Sequence, residues 1–233
     1  MSAPRLALLA AGWLGLQATA LAGGSVFESR PVGPFTRIEH GGPADLVFTH
    51  GTHHAVVIEA EPALQARIQV VVRGGVLAFD YGREPLETHA PLRFHVSAPT
   101  LDALSVAGSG DAALARIQGP AFVLDARGSG NVRLEAIEAD RLSIDHAGAG
   151  DVVAAGRCQD LEVSTTTSGD LDLNHLSCQR GRIRLAGSGD VGARISTRLE
   201  VDLSGSGDLT VIGHPSVSEH HDGVGELRLL ADH

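Results

Sequence analysis

Over most of its length the chain alternates. Apolar side chains fall two, four and often six positions before a short glycine motif: Leu104 and Val106; Phe122, Leu124 and Ala126; Leu161 and Val163; Ile183 and Leu185; Leu199, Val201 and Leu203. The alternation resumes after each motif, at Val132 and Leu134, Val152 and Ala154, Leu171 and Leu173, and Leu209 and Val211. Period two is the strand period, because successive side chains of an extended chain point to opposite faces. The phase runs through the motif. If Leu203 points inward, so do Gly205, Gly207 and Leu209, while Ser206 and Asp208 point outward.

The motif recurs as Gly108-Ser109-Gly110-Asp111, Gly128-Ser129-Gly130-Asn131, Gly148-Ala149-Gly150-Asp151, Thr167-Ser168-Gly169-Asp170, Gly187-Ser188-Gly189-Asp190 and Gly205-Ser206-Gly207-Asp208, with a decayed copy at Gly223-Val224-Gly225-Glu226. Its last residue advances by 20, 20, 19, 20, 18 and 18 positions. A strand, a glycine corner, a second strand and a short loop back make one coil of a parallel β-solenoid. Glycine is expected at the inward corner positions for two reasons. A side chain there would meet the next turn of chain, and a corner calls for unusual dihedrals. A propeller blade needs about twice this length, and a leucine-rich repeat spaces its Leu and Asn differently.

The segment from Val26 to Pro99 is also strand-like but lacks the repeat. "DLVF", "AVVIEA", "RIQVVV", "VLAFDY" and "LRFHVSAP" read as strands, and "EPALQARI" as a short helical turn. These strands are expected to continue the solenoid or cap its end, where an open edge would invite pairing with another chain. The first 22 residues carry one charge, Arg5, then an apolar run to Leu16, and end in Ala20-Leu21-Ala22. That is the pattern of a cleaved secretory signal, too short in its apolar run to span a membrane. Residues 23–233 then form a single domain, 26–99 and the repeats of 100–233 together.

The only Trp, Trp13, lies in the signal segment, and six Phe and one Tyr are all that remain beside the Val, Leu, Ile and Ala of that domain, so a core of small aliphatic positions is expected, not one of aromatic anchors. Every basic residue is Arg, and the acidic excess gives a net charge of −10 for the full chain. Such a surface repels nucleic acid and anionic membrane. Export places Cys158 and Cys178 where thiols oxidise. They lie one coil apart, each followed by Gln and each in the loop back, so stacked coils bring them within disulfide reach.

The outward column Asp111, Asn131, Asp151, Asp170, Asp190, Asp208 and Glu226 is the most suggestive chemistry. Its expected role is structural, each Asp capping the N–H groups of its own turn. A ridge for Ca²⁺ or sugar hydroxyls is the alternative, although the spacing differs from the Ca²⁺-binding G-G-x-G-x-D nonapeptide. The His50, His53, His54 and Glu219, His220, His221 clusters read as loop tips, and His146 and Thr165 as satisfied polar groups in the core. No nucleophile elbow, HExxH helix or phosphate loop is present. The reading is therefore a non-enzymatic binding, adhesin-like or scaffold module without cofactor or metal. The alternative is a polysaccharide lyase or hydrolase built from carboxylates of different coils.

Together with the serial motifs, the opening "FTRIEHGGPADLVFTHG", the bridge "VSAPTLDALSVAGSGD" and the closing "VIGHPSVSEHHDGVGEL" resemble the putative auto-transporter adhesin, head GIN domain family. The resemblance implies a right-handed β-helix in the cell envelope, whether periplasmic, at the outer membrane or secreted. It implies no established reaction. An envelope glycan or a surface protein is the partner to expect.

Overall fold

The computed structural model describes residues 24–82 and 90–231; the expected signal segment lies outside them. The N-terminal part contains β1 (Val26–Arg30), β2 (Arg37–His40), β3 (Asp45–His50), β4 (Ala55–Ala60), α1 (Pro62–Gln65), β5 (Gln69–Arg73), β6 (Val76–Asp80) and β7 (Arg93–Ala98). The repeats follow as β8 (Ala103–Val106), β9 (Ala112–Leu114), β10 (Ile117–Ala126), β11 (Val132–His146), β12 (Val152–Thr165), β13 (Leu171–Leu185), β14 (Val191–Leu203), β15 (Leu209–Ile212), β16 (Ser216–His221) and β17 (Leu227–Leu230).

The repeats stack in parallel as a β-solenoid. Phe122 lies beside Leu142, Leu142 beside Leu161, and Ile183 beside Val201 in the next coil. Inward positions line up in columns of buried Leu, Ile, Val and Ala. No single coil could bury these residues, but the stack does. One expectation is corrected here: the return path is not a loop. Residues 137–139 pair with their counterparts in both neighbouring coils, and β11 runs on through this stretch from Val132 to His146. The central coils thus carry three paired runs, such as 132–134, 137–139 and 141–146. The inward Ile137 explains why, since it is fully buried and needs a strand to aim it.

The corner glycines follow one of their two expected reasons. A Cβ on Gly205 would sit 2.0 Å from the carbonyl oxygen of Gly187, and one on Gly207 equally close to that of Gly189. Backbone stacks directly on backbone at the corner, so no side chain fits between coils. The dihedral reason is overturned: Gly24, Gly42, Gly74, Gly75, Gly82, Gly156 and Gly213 have positive φ, and none of the motif glycines that begin at Gly108 is among them.

The N-terminal part both continues and closes the stack. β2 and β3 form a rung between β8 and β9 on one side and β6 and β7 on the other, all parallel. Spatial order therefore departs from chain order. Antiparallel β4 and β1 extend the sheet beyond β7, and β5 pairs antiparallel with β6 across the Gly74-Gly75 turn. The expectation of a core without aromatic anchors fails at this end. Phe35, Phe48 and Phe94 are fully buried; Phe79 stacks on Phe94 with ring centroids 4.1 Å apart, and His40 meets both rings edge-on. Strands that do not repeat leave an irregular interior, which large rings fill.

Candidate functional site

The acidic column forms a continuous ladder up one edge of the solenoid. The backbone N–H of each member donates to the Oδ1 of the member one coil earlier: Asn131 to Asp111 at 2.8 Å, Asp151 to Asn131 at 3.0 Å, Asp170 to Asp151 at 3.0 Å, and Asp190 to Asp170 at 2.8 Å. Asp208 and Glu226 continue it at 2.8 and 2.9 Å. In return, the residue after each column member donates its N–H to the carbonyl of the member one coil on, as from Val132 to Asp151 at 2.8 Å and Val191 to Asp208 at 2.9 Å. The capping expectation is thereby corrected in its target. Each side chain caps the coil above, not its own turn, supplying an acceptor where the corner backbone cannot. Placing an N–H between successive carboxylates also offsets their repulsion. Neutral Asn131 interrupts the charge, and Arg228 reaches Asp208 Oδ2 at 3.2 Å.

The column begins one coil earlier than the motif suggested. Asp111 donates its N–H to Asp45 Oδ1 at 3.2 Å, and Cβ atoms on Gly108 and Gly110 would strike the backbone of Gly42 and Ala44. Gly42-Pro43-Ala44-Asp45 is thus the first corner. The available signal was the Asp placed directly before alternating Leu46 and Phe48.

A second feature was not visible as a motif. The outward face of β10–β14 holds a groove of about 720 Å³, lined by the apolar Phe122, Val123, Leu142 and Leu161 and bordered by Arg141, Asp160, Glu162, Arg180, Arg182 and Glu200. Most of the charges join neighbouring coils: Arg180 grips Asp160 through Nε and Nη2, Arg184 holds Glu162 at 3.2 Å, and Arg182 holds Glu200, which Arg198 of the same strand also holds. The hydrogen bond from Arg180 keeps the Asp160 carboxyl below the usual carboxylate range, and that from Arg182 does the same for Glu200. These groups are anionic acceptors, not proton donors. Arg141 acts on Asp160 through charge alone.

These features fit a comparison with known proteins. Residues 34–215 match the family described as putative auto-transporter adhesin, head GIN domain. The chain belongs to this family. None of the curated proteins matches it. Among solved structures, a putative adhesin from Bacteroides fragilis NCTC 9343 is similar, with 21% identity, a TM-score of 0.84, and coverage of 93% of this chain and 100% of that one. A putative adhesin from Parabacteroides merdae ATCC 43184 has 16% identity, a TM-score of 0.71, and coverage of 90% and 97%. A protein named putative lipid binding protein, from Parabacteroides distasonis ATCC 8503, has 18% identity, a TM-score of 0.71, and coverage of 90% and 98%. At these identities the likeness is one of fold.

Within this GIN-domain solenoid, the other singled-out residues sort by coil. Cys158 and Cys178 are register partners joined in a disulfide with Cα atoms 4.6 Å apart, and they lie within strands rather than in loops. His40 and His146 occupy one inward column and repeat one contact: Nε2 meets the carbonyl four residues on, Ala44 at 2.6 Å and Gly150 at 2.7 Å. Burial pushes both imidazoles below the ordinary His range. The expectation that His146 and Thr165 are fully satisfied is corrected. His146 Nδ1 and Thr165 Oγ1 have no partner, because their column is otherwise largely aliphatic. The two His clusters lie apart in the fold. His54 Nε2 bonds the Phe35 carbonyl at 2.9 Å, whereas His220 and His221 lie on β16, a strand and not a loop tip, paired with Asp222 and Glu219. No helix among the described residues is long and apolar enough to cross a membrane.

Proposed function

We propose that this chain is an exported, non-enzymatic binding module of the cell envelope, and that the groove on β10–β14 receives a hydroxyl-rich polymer such as an envelope glycan. The observation that carries this reading is the wall of alternating guanidinium and carboxylate groups along an open parallel face. Donors and acceptors held in place by one another suit sugar hydroxyls. Their net charge stays near balance, unlike the acidic remainder of the surface. Glycosidic cleavage needs one carboxyl kept protonated near neutral pH. Asp160 and Glu200 are shifted the opposite way, which favours binding over the hydrolase alternative. The acidic ladder stands as a structural seam, since its Oδ1 atoms are engaged between coils.

The test is a glycan array read beside a turnover assay on the same polysaccharides. Retention without release of new chain ends is expected, weakened about tenfold by Arg141→Ala or Arg182→Ala. Cleavage of a retained glycan, or retention indifferent to both substitutions, overturns the reading.

A further inference from the structure

The two ends of the stack are built differently. At the C-terminal end β16 pairs with β14 alone and β17 with β15 alone, leaving the outer edge of the last coil without a neighbour. The large apolar side chains exposed among the described residues are Val123, Val217, Val224, Leu229 and Leu230, and all but Val123 belong to this coil. Val217 continues the column of Leu199, and Leu229 that of Val211, so both are core positions with no further coil over them among the described residues. At the other end, antiparallel β1 and β4 and the β5–β6 pair close the stack, and the edge strands carry Glu28, Arg30, Gln69 and Arg73. Both ends carry ionisable residues, β16 and β17 having Glu219, His220, His221 and Arg228, so it is the antiparallel closure that sets the N-terminal end apart.

We infer that the chain forms a two-fold dimer through its C-terminal coil. An open coil seated on the closed N-terminal end would propagate head to tail, against that end's antiparallel strands. An open coil seated on a second open coil closes both. A two-fold axis through the Gly223 corner, perpendicular to the stack, lays β16 antiparallel to β17 of the second copy, and β17 against its β16. Of the registers that keep inward positions opposite inward positions, the one centred on Gly223 sets Val217 against Leu229 of the second copy and is favoured because it matches apolar with apolar. In the same register His220, which meets Asp222 at 3.0 Å in its own chain, comes opposite Glu226 of the second copy, which Arg228 holds at 2.8 Å, so two intrachain pairs join into one network across the axis. Both matches occur twice by symmetry, so the coil is complementary to itself in its apolar pattern and in charge. Glu219, already paired with His221 at 3.4 Å, lies between these contacts opposite Leu227 of the second copy.

Sedimentation of residues 23–233 from about 1 to about 100 μM tests the inference. A monomer–dimer equilibrium is expected. Leu229→Lys should weaken it at least tenfold. Leu229 is half exposed, so the far-ultraviolet circular dichroism and melting of the variant should match the parent and show that folding is intact. His220→Glu should also weaken the dimer, and adding Glu226→His should restore it. A monomer at every concentration, open-ended polymers, or a dimer unmoved by Leu229→Lys and by the charge exchange would each overturn the proposal.

Discussion

Between Ala103 and Leu203 each stretch of chain lies on a near copy of itself, whereas between Val26 and Ala98 neighbouring strands differ in length, direction and contents. Both regions nevertheless form rungs of one stack. The repeats do so with small aliphatic columns, bare glycine corners and a side-chain ladder. The N-terminal part does so with stacked aromatic rings, antiparallel pairs and positive-φ turns. A repeat is constrained by translation, since whatever occupies one coil must fit under the next. A cap is constrained to end that translation, so beyond the rung of β2 and β3, which still shares the ladder and the close corner, strand direction and core contents change.

The glycines separate the two regimes most sharply. Gly187→Val places a Cβ 2.0 Å from the Thr167 carbonyl and should cost more than about 4 kcal/mol or abolish folding. Gly74→Ala, at φ +57 with nothing within 4 Å, should cost about 1 kcal/mol through backbone strain alone. Denaturant melts compare them, and equal losses would mean that close stacking is not what the motif serves.

The cores come next. Phe94→Ala should cost about 4 kcal/mol and Leu134→Ala about 3 kcal/mol. The more telling readout is hydrogen exchange. Loss of Phe94 should open β2–β7 while β12–β14 stay protected, because coils touch only their neighbours. Uniform loss of protection would show one cooperative unit instead of two regimes.

The disulfide lies wholly in the repeats. Replacing both Cys158 and Cys178 by Ser should remove about 3 kcal/mol in the chain-entropy model and leave the N-terminal part's exchange unaltered. Two titratable thiols in unfolded protein prepared without reductant would remove the staple from the comparison.

The ladder crosses both regions, so Asp45→Ala and Asp190→Ala should cost alike, about 1 kcal/mol each for an unmade cap. Millimolar Ca²⁺ should barely move the melting temperature of the parent protein. A large rise abolished by removing Asp190 and Asp208 would make the ladder a metal site.

The smallest effect expected is on pH. His40 and His146, one in each region, are held neutral chiefly by burial. Below the ordinary His value of about 6.5 the unfolded chain takes up protons that the folded chain refuses. Stability should therefore be full above that pH and fall as pH drops toward the depressed folded values. His40→Leu and His146→Leu should each flatten part of that slope in melts between pH 8 and about 5; a slope unchanged in both variants would place its origin elsewhere.

What was legible in the sequence follows the same division. The inward phase of Leu185, Val201 and Leu203 and the pairing of Cys158 with Cys178 could be read because one coil predicts another. In the N-terminal part, β3–β7 and the turn at Pro62 were visible as local patterns, but their arrangement was not. Nothing local says that β6 and β7 lie beneath β2 and β3 while β8 and β9 lie above. The target of the Asp side chains was missed because a turn-cap reading considers one coil, and the acceptor is needed by the next. The groove escaped for a related reason: its walls come from outward residues about a coil apart, which share no motif.

The bond between Cys158 and Cys178 also changes what happens under tension. The two ends of the described chain lie at opposite ends of the stack, so a pull between them loads the coils in series and peels them one at a time. The stretch between Cys158 and Cys178, 20 positions apart, cannot join the extended thread, which withholds about 70 Å of contour length until the bond is reduced. A chain tethered at one end and gripped at the other would thus yield in two stages set by the redox state of its surroundings, with the coils on either side of the bond free to unwind and the pair it joins held together.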